Sequence, residues 1–374
     1  MSLESLFPAY PTEDCRAHRG EIDAALKRML DSGWYILGSE VQSFEREFAA
    51  WTGVDHAIGV ANGTDAIELL LRGLEIGEGD TVLVPSHTAV ASASGVARAG
   101  ATPLLVDVDP VTCTISPESV AQALRSTHGP SIRAVLAVHL YGHPCDMERL
   151  QALCDAHGVI LLEDCAQAHG AELQGKRVGS LARGAAFSFY PTKNLGAIGD
   201  GGAITTNDAA LATRIREVRQ YGWRQRYISA IEGVNSRLDE MQAAILRVKL
   251  AALEARNARR RNLAARYTAG LQDIPWASPP VVREGAEHAY HLYVIRSTQR
   301  DALMKHLLDA GVPVALHYPA AIHQQPGYAR YASAEVPLAH TEAVIPRILS
   351  LPLHPFLGDE AVDRSVEVIR QFKI

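Results

Sequence analysis

The sequence predicts an α/β protein with two cores. The first is a three-layer large domain on a mainly parallel sheet, residues 1–250, and the second a smaller C-terminal α+β domain, residues 251–374. Three observations lead there. Between about residues 57 and 206, short apolar runs alternate with helical patterns. The runs lack period-two alternation, as strands covered on both faces do. A long helical stretch (238–271) and a Pro-rich linker, PWASPP (275–280), then separate this pattern from a different one. A chain of 374 residues is long enough to fill both cores.

AIGVA (57–61) reads as the first strand and leads through Asn62–Gly63 into TDAIELLLRGL. That helix is expected to open at Thr64–Asp65, with Ala66, Leu69, Leu70 and Gly73 on one face. TVLVP (81–85) precedes a small-residue helix, AVASASGVARAG. PLLVDVD (103–109) precedes SPESVAQALR, where Ser116 is placed to cap and Pro117 to occupy the first helical position. IRAVLAVHL (132–140) is followed by the helix DMERLQALCDAHG, closed by Gly158. VILLED (159–164) ends in two acids, and a small-residue strand ends near Ser188. Strands separated by helices imply parallel pairing through crossovers. The 238–271 stretch reads as one long helix leaving the large domain, with Arg256, Arg259, Arg260 and Arg261 on a solvated face or a subunit contact. Past the linker, AYHLYVIR and VPVALHYP read as strands, RDALMKHLLDAG and DEAVDRSVEVIRQF as helices.

Composition narrows the function classes. Apolar residues make up 47% and charged residues 21%, ordinary globular usage. The net charge of −6 gives no footprint for a phosphate backbone, so no nucleic-acid partner is expected. The five cysteines contain no C-x-x-C pair, which suggests neither a disulfide framework nor a zinc knuckle. The opening MSLESLFPAYPTEDC lacks a basic segment followed by an apolar run, and no apolar stretch reaches the ~20 residues that span a bilayer. The expectation is a cytoplasmic protein without a membrane partner.

Four features fall at or near strand ends, where open α/β sheets bind ligands. ANGTDAIELL (61–70) offers a helix N-terminus with Gly63 for close approach and the Thr64 hydroxyl as a donor, the makings of an anion site. LLEDCAQAHGA (161–171) ends a strand at Asp164, with Gln167 one helical turn on; that acid could bind a metal, act as a base, pair with a cation or simply cap. AAFSFYPTKNLGAIGDGGAI (185–204) carries Ser188, a turn at Pro191 and then Lys193 in a glycine-rich loop. GVNSRLDE (233–240) places Asn235 and Arg237 just before the long helix. His139 and His143 fit as strand-end and loop residues, and no metal is expected. His317 and His323, in LHYPAAIHQQP, are suited to hydrogen-bonding a sugar hydroxyl or a phosphate.

Together these parts fit pyridoxal 5'-phosphate (PLP). It needs a lysine amine for the Schiff base, an acid at the pyridine nitrogen and donors for its phosphate. The chain resembles the DegT-type (DegT/DnrJ/StrS) sugar aminotransferases, PLP enzymes of the aspartate aminotransferase fold. The resemblance runs from SGWYILGSEVQSFEREFAAWTGV to LSLPLHP, and D-x-A-Q, S-F-x-x-x-K and G-x-N-x-R in that order are its most specific part. It implies that Lys193 forms the Schiff base and moves the proton, that Asp164 pairs with the pyridine nitrogen and that Gln167 contacts the ring hydroxyl. Gly63, Thr64 and Ser188 would hold the phosphate, and Asn235 would reach the phosphate of the neighbouring subunit in a homodimer with a shared site. Tyr35, His317, Tyr318 and His323 match segments that approach the sugar nucleotide. The implied reaction moves an amino group from glutamate to a dTDP- or UDP-linked keto-deoxysugar at C3 or C4, with a lean to C3 from SGWYILGSEV. Its product would feed amino-sugar synthesis, for lipopolysaccharide O-antigen or a glycosylated metabolite. One departure stands out: where the family often has an aromatic on the cofactor ring, VPSHTAV has Ala89, leaving His87 as the nearest substitute. Two rival readings remain. Sugar 3-dehydratases of this family have histidine at the position of Lys193, and a PLP-binding regulator would bind the cofactor without turnover.

Overall fold

The computed structural model describes residues 11–373; most of the opening segment, MSLESLFPAYPTEDC, lies outside the described residues. Seven strands form the main sheet: β1 (His56–Val60), β2 (Thr81–Pro85), β3 (Thr102–Val106), β4 (Ile132–Val138), β5 (Ile160–Asp164), β6 (Ala185–Ser188) and β7 (Gly202–Thr206). Their order is β1-β7-β6-β5-β4-β2-β3, with parallel pairing from β6 to β3 and β7 antiparallel to both its neighbours. The reversal at β7 arises because β6 and β7 are joined by a loop, residues 189–201, and not by a crossover helix.

Successive residues of each strand enter opposite cores, and both cores are apolar, which is why the sequence shows no period of two. Ile58, Val84, Leu136, Leu162 and Ile204 pack with Leu69, Leu70 and Ile215 of the helices Gly63–Gly73 and Ala209–Val218. On the other face, Leu83, Val135 and Leu161 meet Val120 and Leu150 of Pro117–Arg125 and Met147–His157. Near the other edge, Ala57, Phe187 and Ala203 meet Phe44, Phe48 and Leu246.

Helix ends follow their local chemistry. The Ser116 hydroxyl accepts the Ser119 N–H at 3.2 Å, with Pro117 opening the helix, and Gly158 closes Met147–His157 at φ 67°. One expectation shifts by a residue: the first helix opens at Gly63, because the Asn62 side chain caps it through the Asp65 N–H at 2.8 Å.

The long helix is continuous over Glu240–Leu271. Ala243, Leu246, Leu250 and Leu253 belong to the large core, whereas Leu263, Ala264, Tyr267 and Leu271 belong to the small one. Its arginines do not form a solvated face. Arg256 and Arg260 are buried: Arg256 pairs with Asp14 at 2.5 Å, and Arg260 donates to the carbonyls of Tyr290, His291 and Leu353. Composition alone could not separate snorkelling arginines from carbonyl-binding ones.

In the small domain β8 (Ala277–Ser278), β9 (Tyr293–Ser297) and β10 (Ile348–Leu351) pair antiparallel in the order β8-β9-β10. VPVALHYP is not a strand and contributes a single bridge, Ala315 to Ser350. Pro313 and Pro319 have no N–H to give a ladder; the sheet recruits ILSL of the LSLPLHP segment in its place. Among the described residues no helix is long and apolar enough to cross a membrane.

Candidate active site

Strand register brings the site together. Gly202 pairs with both Val60 and Ser188, and Asp164 pairs with Ala186. The ends of β1, β5 and β6 therefore converge on the loop that holds Lys193. A cleft of about 510 Å³ opens there, lined by Gly63, Thr64, Asp164, Gln167, Ser188 and Lys193 among others.

One wall is an anion cradle. With Asn62 committed to the Asp65 N–H, the N–H groups of Gly63 and Thr64 are free for a ligand at the positive end of the helix dipole. A Cβ on Gly63 would stand 2.6 Å from the Ser188 Cβ, so only glycine lets the β6 end close on the helix start. The Lys193 turn is closed by its own N–H on the Tyr190 carbonyl at 2.8 Å. It needs Gly196, whose Cβ would meet the Pro191 carbonyl at 2.4 Å.

Lys193 is half-buried, and loss of hydration pushes its ammonium down to about 8, against the pull of the Asp164 carboxylate. Asp164 is buried; its Oδ2 accepts the Ser92 hydroxyl at 2.8 Å and its Oδ1 the Ala166 N–H at 3.1 Å. Gln167 sits in a turn and not one helical turn along, since the chain past β5 runs as tight turns. Its Oε1 accepts the Tyr141 N–H at 2.7 Å and its Nε2 donates to the Tyr318 hydroxyl at 3.0 Å, with a second N–H left for the cleft.

Other expected residues lie differently. His317, Tyr318 and His323 are not among the residues lining the cleft; they fasten their loop to the large domain and the small sheet. Tyr318 holds Gln167, His323 Nδ1 bonds the Ser86 hydroxyl at 2.7 Å, and His317 Nδ1 bonds the Ser350 hydroxyl at 2.8 Å. Burial, with a smaller push from Lys193, takes His317 down to about 4, so it is a neutral imidazole at pH 7. His87 does not cover the cleft: its Nε2 bonds the Tyr141 hydroxyl at 2.6 Å, and Ala89 offers the cleft only a methyl group. Tyr35 and Asn235 lie outside the cleft of their own chain. Tyr35 lines a separate hollow with Trp223, Arg224, Tyr227 and Arg237, and Asn235 is exposed and bridges Gln220.

His139, Glu163 and Cys165 hold potential ligand atoms within 4.8 Å of one another. Their bonding is already spent. Glu163 accepts His139 and the N–H groups of Gly179, Leu181 and Ala182, while His139 Nδ1 accepts the Cys145 N–H. His143 is turned to the Arg283 N–H at 2.9 Å.

Sequence reasoning missed Asn62, Ser92 and Tyr141. Ser92 had a faint signal, a hydroxyl within an alanine-rich helix just past a strand end. Tyr141, at φ 61°, had none.

A lysine of lowered basicity, a buried carboxylate and a glycine-lined anion cradle at the ends of a mainly parallel sheet define a PLP-dependent enzyme of the aspartate aminotransferase fold. The chain belongs to the DegT/DnrJ/EryC1/StrS aminotransferase family, whose model matches residues 16–370. It is 46% identical to the dTDP-3-amino-3,4,6-trideoxy-alpha-D-glucose transaminase of Streptomyces venezuelae, over 100% of this chain and 98% of that one. It is 47% identical to the erythromycin biosynthesis sensory transduction protein EryC1 of Saccharopolyspora erythraea, over 94% and 95% of the two chains. Among solved structures it is similar to S. venezuelae DesV in complex with a ketimine intermediate, with a TM-score of 0.93, 46% identity and 96% of each chain covered. The protein is accordingly a PLP-dependent aminotransferase.

Proposed function

We propose that this aminotransferase moves an amino group from glutamate to C3 of a dTDP-linked 3-keto-deoxysugar, releasing a keto acid and then the amino sugar. The observation that carries the reading is the shared cleft of Lys193, Asp164 and the Gly63–Ser188 cradle. When bound, PLP supplies an electron sink for the pair left when a proton leaves the donor Cα. Lys193 would hold the cofactor covalently through an amine whose value burial lowers to about 8 and, once displaced by the donor's amine, would take the Cα proton and return it. Asp164 would accept the ring N–H, Gln167 would donate its spare N–H to the ring oxygen, and Gly63, Thr64 and Ser188 would hold the phosphate. The C3 position and dTDP rest on the name of the Streptomyces relative.

We also infer a homodimer in which Asn235 completes the partner's phosphate site. Support comes from exposed Trp34, Tyr35, Ile36, Tyr227 and Ile228, a run of large apolar side chains beside the Tyr35 hollow. Tyr35, His317, Tyr318 and His323 are then assigned to the rim and frame of the sugar-nucleotide site. The same reading places the enzyme in the cytoplasm, supplying an amino sugar for O-antigen or a glycosylated metabolite.

A panel of dTDP- and UDP-linked 3-keto and 4-keto sugars, with glutamate as donor, tests the assignment. Amination of the dTDP 3-keto sugar well above the others is expected. Turnover of 4-keto sugars alone would overturn the C3 assignment. Cofactor binding without turnover on any sugar would favour a PLP-binding regulator; EryC1 is named a sensory transduction protein.

A further inference from the structure

We propose that Ser92 is a positioning residue for the acid of this site: its hydroxyl fixes the Asp164 carboxylate facing the cofactor's ring nitrogen. The inference rests on reading Asp164 as that nitrogen's partner. Ser92 lies on the helix Val90–Arg98, and its Oγ donates to Asp164 Oδ2 at 2.8 Å. Both residues are buried, at 1% and 5% exposure. Helical serines commonly turn back to a carbonyl of their own helix; this one reaches across to β5. The Thr88 hydroxyl lies 3.3 Å from the Ser92 oxygen, so Ser92 can accept from Thr88 while donating to Asp164. The Ala166 N–H takes the other carboxylate oxygen.

Each oxygen of Asp164 thus has one fixed protein donor, and the group still lines the cleft. Two donors remove its rotational freedom, so the carboxylate presents one fixed face to the cleft. A carboxylate held in register with the ring nitrogen would keep the proton there, where positive charge is needed to draw electrons. Ala91 and Ala93 flank Ser92 and offer no hydroxyl; the helix's other serine, Ser94, lines the cleft itself. The arrangement matches the way outer partners orient and tune a group that touches a cofactor.

The test uses holoenzyme loaded with PLP isotope-labelled at the ring nitrogen, read by nitrogen NMR and steady-state kinetics. The variants are Ser92→Ala, Ser92→Thr and Asp164→Asn. In Ser92→Ala the resonance should move from the protonated towards the neutral pyridine position. kcat should fall ~10-fold, the scale of one lost hydrogen bond to a charged group, with KM for the keto-sugar unchanged. Ser92→Thr should restore both. If Ser92→Ala does not fold, Ser92→Cys, with similar bulk and a weaker donor, should show the same displacement. A resonance that moves in Asp164→Asn but not in Ser92→Ala overturns the role of Ser92 alone. A resonance unmoved in Asp164→Asn overturns the reading of Asp164, and this inference with it.

Discussion

At Lys193 the decisive quantity is the proton. Because its folded value is depressed to about 8 from 10.5, the fold shifts the balance towards the neutral amine. Covalent capture of PLP by the apoprotein should therefore rise with pH around a midpoint near 8, read by stopped-flow absorbance. Asp164 pulls that value upward, so Asp164→Asn should shift the midpoint to lower pH. A shift to higher pH would show that the two groups do not interact as described. The same substitution should lower kcat by at least ~100-fold, since a neutral amide cannot hold the ring nitrogen's charge. Ala89 gives a gain-of-function test. Ala89→Phe should slow PLP loss on dialysis ~5-fold, the worth of one aromatic contact of about 1 kcal/mol; no change would mean that this wall does not face the ring. These residue types were legible in the sequence because a strand end, a helix start and a glycine turn mark them. Ser92 and Tyr141 were not, because a hydroxyl or a ring shows its partner only when distant segments meet.

Elements read most clearly where local chemistry fixes them. The caps at Ser116 and Gly158 and the unbroken apolar strands follow from side-chain chemistry and two-sided burial. Misreadings arose where tertiary contacts decide. VPVALHYP is apolar but its prolines keep it out of the ladder, and the chain after Asp164 turns instead of winding because Gln167 is held by Tyr141 and Tyr318. The buried arginines of the long helix make the strongest element-scale prediction. Arg260→Met would leave the carbonyls of Tyr290, His291 and Leu353 without that donor, costing ~2–4 kcal/mol, to be read as a lower unfolding midpoint. An unchanged midpoint would return Arg260 to the role of a solvated charge.

For the whole molecule, the parallel pairing of the main sheet follows from a pattern of strands and crossovers, whereas its strand order does not, and the proposed shared site lies between copies of the chain. Asn235 does not line the cleft that holds Lys193 in its own chain. Mixing inactive Lys193→Ala with Asn235→Ala protein, under conditions that exchange subunits, should restore part of the activity through hybrids carrying one intact site. No recovery would argue for self-contained protomers. The central claim, that Lys193 binds PLP and moves the donor's Cα proton during amino transfer, is tested most directly by visible absorption of the PLP-loaded protein before and after glutamate, in wild type and Lys193→Ala. The account predicts a yellow band that requires Lys193 and bleaches on adding glutamate. A wild-type band that is absent, or one that persists unchanged in Lys193→Ala, would contradict it.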